Sequence, residues 1–416
     1  MAVMYGNLGF INLIKDLITK NTNYISIITL NPYNFTKNYL QMTPIADYFL
    51  QNRPMMVGLP VFVLVILLLL KSEKNKKNYS LKIFLGGVLT ASLLKFQLFG
   101  FVISWVFFGI YFGLNIFFKK IKFVEIFKYL LIFGAPSLII GLILVSANIG
   151  SRSLIQVFLQ SFSWGSWQKH DPLWFVYFLI TNLGLGFIVF LIAILSKKFR
   201  KDVRVLSIYL TSLILLVIPL IMKFTIYEFD MLKFYYYLIP LICIILACLY
   251  AKSTHKRFSI WIFVVIALIS SLSSVNMLVH SYLNKSEGYS YSDYEAGIWI
   301  QNNVPQKAVF VTMPTVHSAP SDIGGRLRII SYINWPYSHG FNVGEDNVFS
   351  RVKDVTHVYE TGDIGLVKLK YKAEYIFYGG DEQGQFPLAG KCFDQNKNLK
   401  LIYNQAGIKI YKIIKK

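Results

Sequence analysis

The chain has 416 residues, 55% of them hydrophobic and only 15% charged, with a formal net charge of +21. A soluble globular chain carries about 25% charged residues, so the composition excludes an ordinary soluble enzyme and leaves room for a membrane region with one or two soluble domains. Of the net charge, +18 falls before Tyr282, mostly between apolar runs, and no RNA- or DNA-binding motif accompanies it, which argues against a nucleic-acid partner.

Residues 1–54 are mixed in polarity and read as an outer-face segment, soluble or interfacial, without the charged n-region and apolar core of a signal peptide. A transmembrane helix takes roughly 17–25 apolar residues. Residues 55–70, 129–148, 173–195, 205–222, 234–250 and 258–278 each read as one span. Residues 83–118 are too long for one helix and short for two, and Lys95 and Gln97 interrupt them. They read as a hairpin of two short helices with its tip near residues 95–100. Cys243 and Cys248 fall in an apolar run and read as packing residues; three cysteines make no disulfide framework or metal spacing.

Connector charge tests this count. Residues 71–82, 119–128, 197–204 and 252–257 hold seventeen Lys and Arg, whereas the hairpin tip, residues 150–172 and residues 223–233 hold five. Cationic connectors stay cytoplasmic. All four rich connectors share a side only if residues 83–118 cross twice. The expected fold is therefore an α-helical polytopic membrane protein of about eight transmembrane helices, 55–280, followed by a small extracytoplasmic α/β soluble domain, 281–416. Both the first 54 residues and that domain are expected outside the cell membrane.

The outer connectors hold the polar and aromatic candidates. Trp164 and Trp167, followed by His170, read either as an aromatic belt at headgroup level or as a platform on which a sugar stacks. Glu228 and Asp230 lie among apolar neighbours, with Lys233 close behind. A carboxylate at membrane depth is costly unless paired or functional. The pair either faces water at a helix mouth or contacts a divalent metal (Mg or Mn), a phosphate-sugar or an acceptor hydroxyl. No cofactor is demanded by any spacing.

In the last 135 residues, 292–303 read as a helix, 308–313 and 328–332 as strands, 350–359 and 365–372 as helices and 373–378 as a strand. Residues 399–404 and 408–414 flank Gln405-Ala406-Gly407 as a terminal hairpin. This alternation gives an α/β domain. His317 and His339 stand in loops, where a histidine is more often solvated than functional. Gly324-Gly325-Arg326 is too short for a dinucleotide fingerprint.

Several stretches share an order seen elsewhere. These are Gly6-Asn7-Leu8-Gly9-Phe10, Gln51-Asn52-Arg53, Gly58-Leu59-Pro60, Asn182-Leu183-Gly184-Leu185 at a helix start, and Tyr227-Glu228-Phe229-Asp230 with Lys233. In the soluble part they are Trp299-Ile300, Val309-Phe310-Val311-Thr312, His317 with Pro320, Gly325-Arg326, Tyr332 through Gly340, Asp354-Val355, Tyr359 and Ile410-Tyr411. Through them the chain resembles the C-terminal part of prokaryotic membrane proteins of the C-type glycosyltransferase superfamily, the protein-mannosyltransferase and oligosaccharyltransferase-like enzymes. Glu228 departs from that pattern, which usually has Asp there.

The resemblance implies transfer of a sugar from a polyprenyl-phosphate donor on the outer face. It needs a general base, cations or a metal at the leaving phosphate, and a groove for the isoprenoid. Lys95 and Lys233 are candidates for the phosphate, or else snorkel to headgroups. Glu228 and Asp230 are candidates for metal or acceptor, and Trp164, Trp167 and His170 for the sugar. The acidic residue that this superfamily carries in its first outer loop has no counterpart here, so no catalytic residue is assigned. The chain is expected to be a fragment or half of a split enzyme, working with a separate N-terminal half. A non-catalytic subunit binding lipid-linked glycan is the alternative. A transporter ranks below both, since it would want broken helices at mid-membrane and an internal repeat.

Overall fold

The computed structural model describes residues 8–20, 23–30, 53–72, 78–146, 163–164, 172–223, 231, 233–253, 256–284, 289–338 and 344–414. Two compact units divide the chain, Met1–Lys285 and Ser286–Lys416.

In the first unit, α1 (Phe10–Thr19) and α2 (Tyr24–Leu30) precede the long helices. Then come α3 (Arg53–Ser72), α4 (Tyr79–Phe96), α5 (Leu98–Phe117), α6 (Phe123–Ser146) and α7 (Pro172–Ile192). A single turn, α8 (Lys197–Arg200), leads into α9 (Val203–Ile221), α10 (Lys233–Lys252) and α11 (Lys256–Leu283). Among the described residues, eight of these helices are long and apolar enough to cross a bilayer, so the chain is an α-helical multi-pass membrane protein. Pro60, Pro136, Pro219 and Pro240 lie inside spans; near Pro219 the Tyr235 hydroxyl of α10 donates to the Leu216 carbonyl at 3.3 Å, the kind of partner that makes proline tolerable in a span.

The sequence of α10 explains its place. It is apolar or aromatic on every side, and Tyr235, Tyr236 and Tyr237 are all buried. A helix without a polar face belongs inside a bundle, and α10 packs on α5, α7, α9 and α11. By contrast, α6 and α11 leave Leu131, Ile139, Leu142, Ile262 and Leu268 uncovered, the surface expected against lipid. Cys243 and Cys248 pack at the edge of the core, as read from the sequence.

Residues 83–118 do form two helices, which meet at the single residue Gln97. The consequence for the connectors is geometric. Tyr79 at the start of α4 meets Tyr129 near the start of α6 edge-on, and Phe112 near the end of α5 meets the same ring at a tilt, with centroids 4.9 and 5.3 Å away. The rich connectors 71–82 and 119–128 thus share one end. Asp202 binds Lys252 at 2.8 Å and Arg204 at 3.3 Å, which joins the other two rich connectors. At the opposite end Phe99 meets Phe234, centroids 4.9 Å apart, so α5 and α10 start together and run to the same finish. The strands β1 (Ser163–Trp164) and β2 (Met222–Lys223) pair antiparallel and bring the two other poor connectors together. Cation-rich and cation-poor connectors therefore occupy opposite ends of the bundle.

The first 54 residues hold more structure than their mixed polarity announced. Helices α1 and α2 bury Leu13, Ile27 and Ile28 against Val279 of α11. Phe10 donates its N–H to Ser273 Oγ (3.1 Å), Tyr24 its hydroxyl to Asn276 Oδ1 (3.1 Å), and Asn284 Nδ2 to the Thr29 carbonyl (2.7 Å).

The second unit is a small α/β domain around a five-stranded sheet ordered β4-β3-β5-β7-β6. The parallel strands β3 (Val309–Val311), β4 (Leu327–Arg328) and β5 (Tyr375–Tyr378) join a hairpin of β6 (Leu399–Gln405) and β7 (Ile408–Ile413). The hairpin turns on Ala406 (φ 47°) and Gly407 (φ 81°), the paired positive angles of a primed turn. Side chains alternate across the sheet: Val311, Ile376 and Tyr411 enter one core, Phe310, Tyr375 and Ile410 the other. The helices are α12 (Tyr291–Asn303), α13 (Ala319–Asp322), α14 (Asn334–Ser338), α15 (Val348–Thr361), α16 (Gly365–Tyr371), α17 (Gly380–Gln385) and α18 (Ala389–Gln395). The strands expected over 308–313 and 328–332 are shorter than read, because the chain leaves the sheet at Thr312 and after Arg328. The short helices α13, α14, α17 and α18 lie below the length at which an apolar period is readable.

Candidate functional site

Two places gather chemistry, one in each unit. The first is the mouth of the bundle at its cation-poor end. The chain turns there at Gln97, whose carbonyl receives the Gly100 N–H at 3.0 Å. Gly58 and Gly100 make room for the Tyr237 hydroxyl: a Cβ at Gly100 would stand 2.6 Å from its oxygen, and one at Gly58 3.1 Å. That hydroxyl is buried and has no hydrogen-bond partner among the described residues. Lys95, exposed, closes α4, while Lys233, half-buried, opens α10 with its Nζ 5.9 Å from the centre of the Phe99 ring. Both lysines thus stand at this mouth. The β1–β2 pair holds the backbone of Trp164 opposite Met222, in the connector that leads toward Lys233.

Behind the mouth, α7 is broken. Gly184 has φ 61° and ψ −162°, a conformation open in practice only to glycine. Such a break interrupts the helical ladder, and the Thr181 carbonyl receives the Leu8 N–H at 2.8 Å from outside the helix. The adjacent Asn182 is fully buried and donates to the Phe178 carbonyl at 2.9 Å. The sequence reading had one uninterrupted helix here, with Asn182-Leu183-Gly184-Leu185 at a helix start. The motif instead marks the break, where the second half of α7 begins.

The second place is the carboxyl edge of the parallel strands in the C-terminal domain, where open α/β sheets bind ligands. His317, in the loop after β3, directs Nδ1 at Asp322 Oδ2, 3.3 Å away. Tyr289 donates its hydroxyl to the same carboxylate oxygen and lies 3.3 Å from His317 Nδ1, and Ser321 Oγ donates to Oδ1 at 2.7 Å. Burial pushes the Asp322 carboxyl up, but the hydrogen bonds from Tyr289, Ser321 and His317 and the Arg328 charge outweigh it, so the group sits below its ordinary value. Burial and the bond to Asp322 raise the Tyr289 phenol. An ionised carboxylate only accepts. Nδ1 of His317 therefore donates to Asp322, from a side chain 57% exposed. The bond fixes the orientation of the ring.

Glu382 closes the same edge from below. It is almost fully buried, receives the Met313 and Gly379 N–H groups at 3.0 Å each, and so pins the end of β3 to the turn after β5. Burial raises its carboxyl to about 7, against the pull of those N–H groups. Tyr359 donates between the carbonyls of Val311 (3.1 Å) and Phe377 (2.7 Å) and tightens the same seam.

Of the residues singled out in the sequence, Lys95, Lys233 and the backbone of Trp164 fall at the same cation-poor end of the bundle, and His317 enters the second cluster. Trp167, His170, Glu228, Asp230 and His339 lie outside the described residues. Among the described residues no three His, Cys, Asp or Glu side chains group as a metal site. Sequence reasoning missed Tyr289, Asp322, Arg328 and Glu382. Only Glu382 carried a local signal: a carboxylate three residues beyond Gly379 is the spacing of a capping box. The chain matches no protein-family model and no curated protein, so any assignment rests on its own residues.

Proposed function

We propose that this protein is a membrane glycosyltransferase-like protein that takes a polyprenyl-phosphate-linked sugar at its cation-poor end. In this reading that end and the C-terminal domain face outward, because cation-rich connectors are retained in the cytoplasm. The carrying observation is that Lys95, in the last turn before Gln97, and Lys233, whose Nζ lies over the Phe99 ring just after it, fall at the same end of the bundle, beside the buried aromatics Phe99 and Phe234. Two ammonium groups at headgroup depth suit a lipid phosphate, whose charge grows as the sugar leaves. The resemblance in the sequence points the same way.

The test uses membranes containing the full chain, with and without a separately encoded N-terminal half, and a labelled polyprenyl-phosphate sugar. Lys95→Ala with Lys233→Ala is expected to weaken retention of the labelled lipid at least about tenfold, the scale of one charge-assisted bond. Retention equal to wild type would remove the reading. Orientation is checked separately in intact cells: a thiol at T225C is expected to react with an impermeant reagent and one at N75C to be shielded.

One observation favours a second reading, passage of a solute or lipid through the bundle. The α7 break at Gly184 is the kind of discontinuity that lines transport sites. That reading predicts movement of the labelled lipid between leaflets of proteoliposomes without sugar transfer, abolished by Gly184→Ala.

A further inference from the structure

Arginines in the C-terminal domain show two kinds of use. Arg326 is spent on structure: Nε reaches the Val304 carbonyl at 3.0 Å, Nη1 the Gly324 carbonyl at 2.6 Å and Nη2 the Gln301 carbonyl at 2.8 Å, which caps the end of α12. Arg351 reaches Asp346 and the Ile329 carbonyl. Arg328 differs. Its Nη2 donates to the Thr315 carbonyl at 3.0 Å, but its Nη1 is shut away from solvent with no acceptor, and it forms no ion pair among the described residues.

A second orphan follows the last residue of β3. Thr312 is 1% exposed and its Oγ1 has no hydrogen-bond partner among the described residues. In the parallel β3–β4 pair Phe310 stands opposite Arg328, and paired side chains share a face. Thr312 follows where the chain leaves the sheet, and the Arg328 guanidinium reaches past it to the Thr315 carbonyl, so both orphans lie at the carboxyl edge of the parallel strands. Buried polar groups are rarely left unmade. Both groups donate, and one oxyanion would accept from both. The neighbouring Asp322 carboxylate accepts from Tyr289, His317 and Ser321 and forms no ion pair with Arg328 among the described residues.

We infer that the C-terminal domain holds an oxyanion-binding site of its own, in which Arg328 and Thr312 grip a phosphate or carboxylate group of a small ligand beside His317. The donor count suits such a group: a guanidinium binds oxyanions through a fixed planar fork, and the hydroxyl adds a second direction. His317, oriented by Asp322, stands in the loop that follows Thr312. The site is assigned from this domain alone and does not rest on the membrane reading.

The test titrates the purified full-length protein in nanodiscs with inorganic phosphate and, separately, with acetate, and follows binding by calorimetry. Wild type is expected to bind one of the two, and the one bound states whether the ligand carries a phosphate or a carboxylate. Thr312→Val, equal in shape, and Arg328→Lys, equal in charge, are each expected to weaken that binding by about tenfold or more. His357→Ala, on α15, is expected to leave it unchanged. Binding of neither anion by wild type overturns the inference. So does undiminished binding by a Thr312→Val protein whose thermal unfolding matches wild type.

Discussion

Replacing Glu382 by Gln tests how the edge of the C-terminal sheet is held. The carboxyl is almost fully buried and accepts two backbone N–H bonds, at 3.0 Å each, from Met313 and Gly379. Burial raises it from 4.5 to about 7. Between those values the folded chain binds more protons than the unfolded one, so stability falls as pH rises and levels off above about 7. The rise corresponds to about 3 kcal/mol, an equilibrium factor of about a hundred. Hydrogen exchange of the peptide spanning β3 and Met313, corrected for its intrinsic pH dependence, reads this local stability in the full-length protein. Wild type is expected to lose roughly a hundredfold in protection from pH 4.5 to 7. Glu382→Gln, which cannot ionise and keeps one acceptor, is expected to run flat over that range. Parallel profiles for the two proteins would refute the reasoning, because the slope would then come from another group.

Two further outcomes follow from the membrane half. Gly184→Ala forces a side chain into φ 61°, ψ −162° and is expected to cost about 1–3 kcal/mol, seen as faster thermal inactivation in detergent; an unchanged rate would mean that α7 straightens freely. Gly100→Ala drives a methyl group to 2.6 Å from the Tyr237 oxygen. Because that hydroxyl has no partner among the described residues, Tyr237→Phe alone is expected to be near neutral and to rescue Gly100→Ala, with a coupling of about 1–3 kcal/mol. Additive unfolding data from the four proteins would exclude the contact.

The membrane fold was legible because its causes are local. Apolar runs of sufficient length announce spans, and the lysines of residues 71–82 and 119–128 required residues 83–118 to cross twice, which the turn at Gln97 does. The break in α7 was not legible in the span pattern, since Thr181 and Asn182 alone interrupt a run long enough for one helix and glycine alone does not say which conformation it adopts; only the resemblance put a helix start at Asn182-Leu183-Gly184-Leu185. Helices α1 and α2 escaped notice because their stability comes from α11, about 250 residues away, through Ser273, Asn276 and Val279. In the C-terminal domain, strands and long helices followed their periods, and His317 stood out as a loop histidine. Its partners did not. Asp322 returns to it over the short turn of α13, five residues on, which no period announces, and Arg328 is brought to this edge by the parallel pairing of β3 with β4. Tyr289 joins from the opposite direction, ahead of α12.

The ladder between Ser163–Trp164 and Met222–Lys223 is only two residues wide on each side, yet it ties together connectors that two transmembrane helices separate. A short rung of this kind is mechanically decisive and energetically slight. Residues 163–164 cannot be displaced without dragging 222–223 along or snapping the rung, so a pull on one connector is felt at the other.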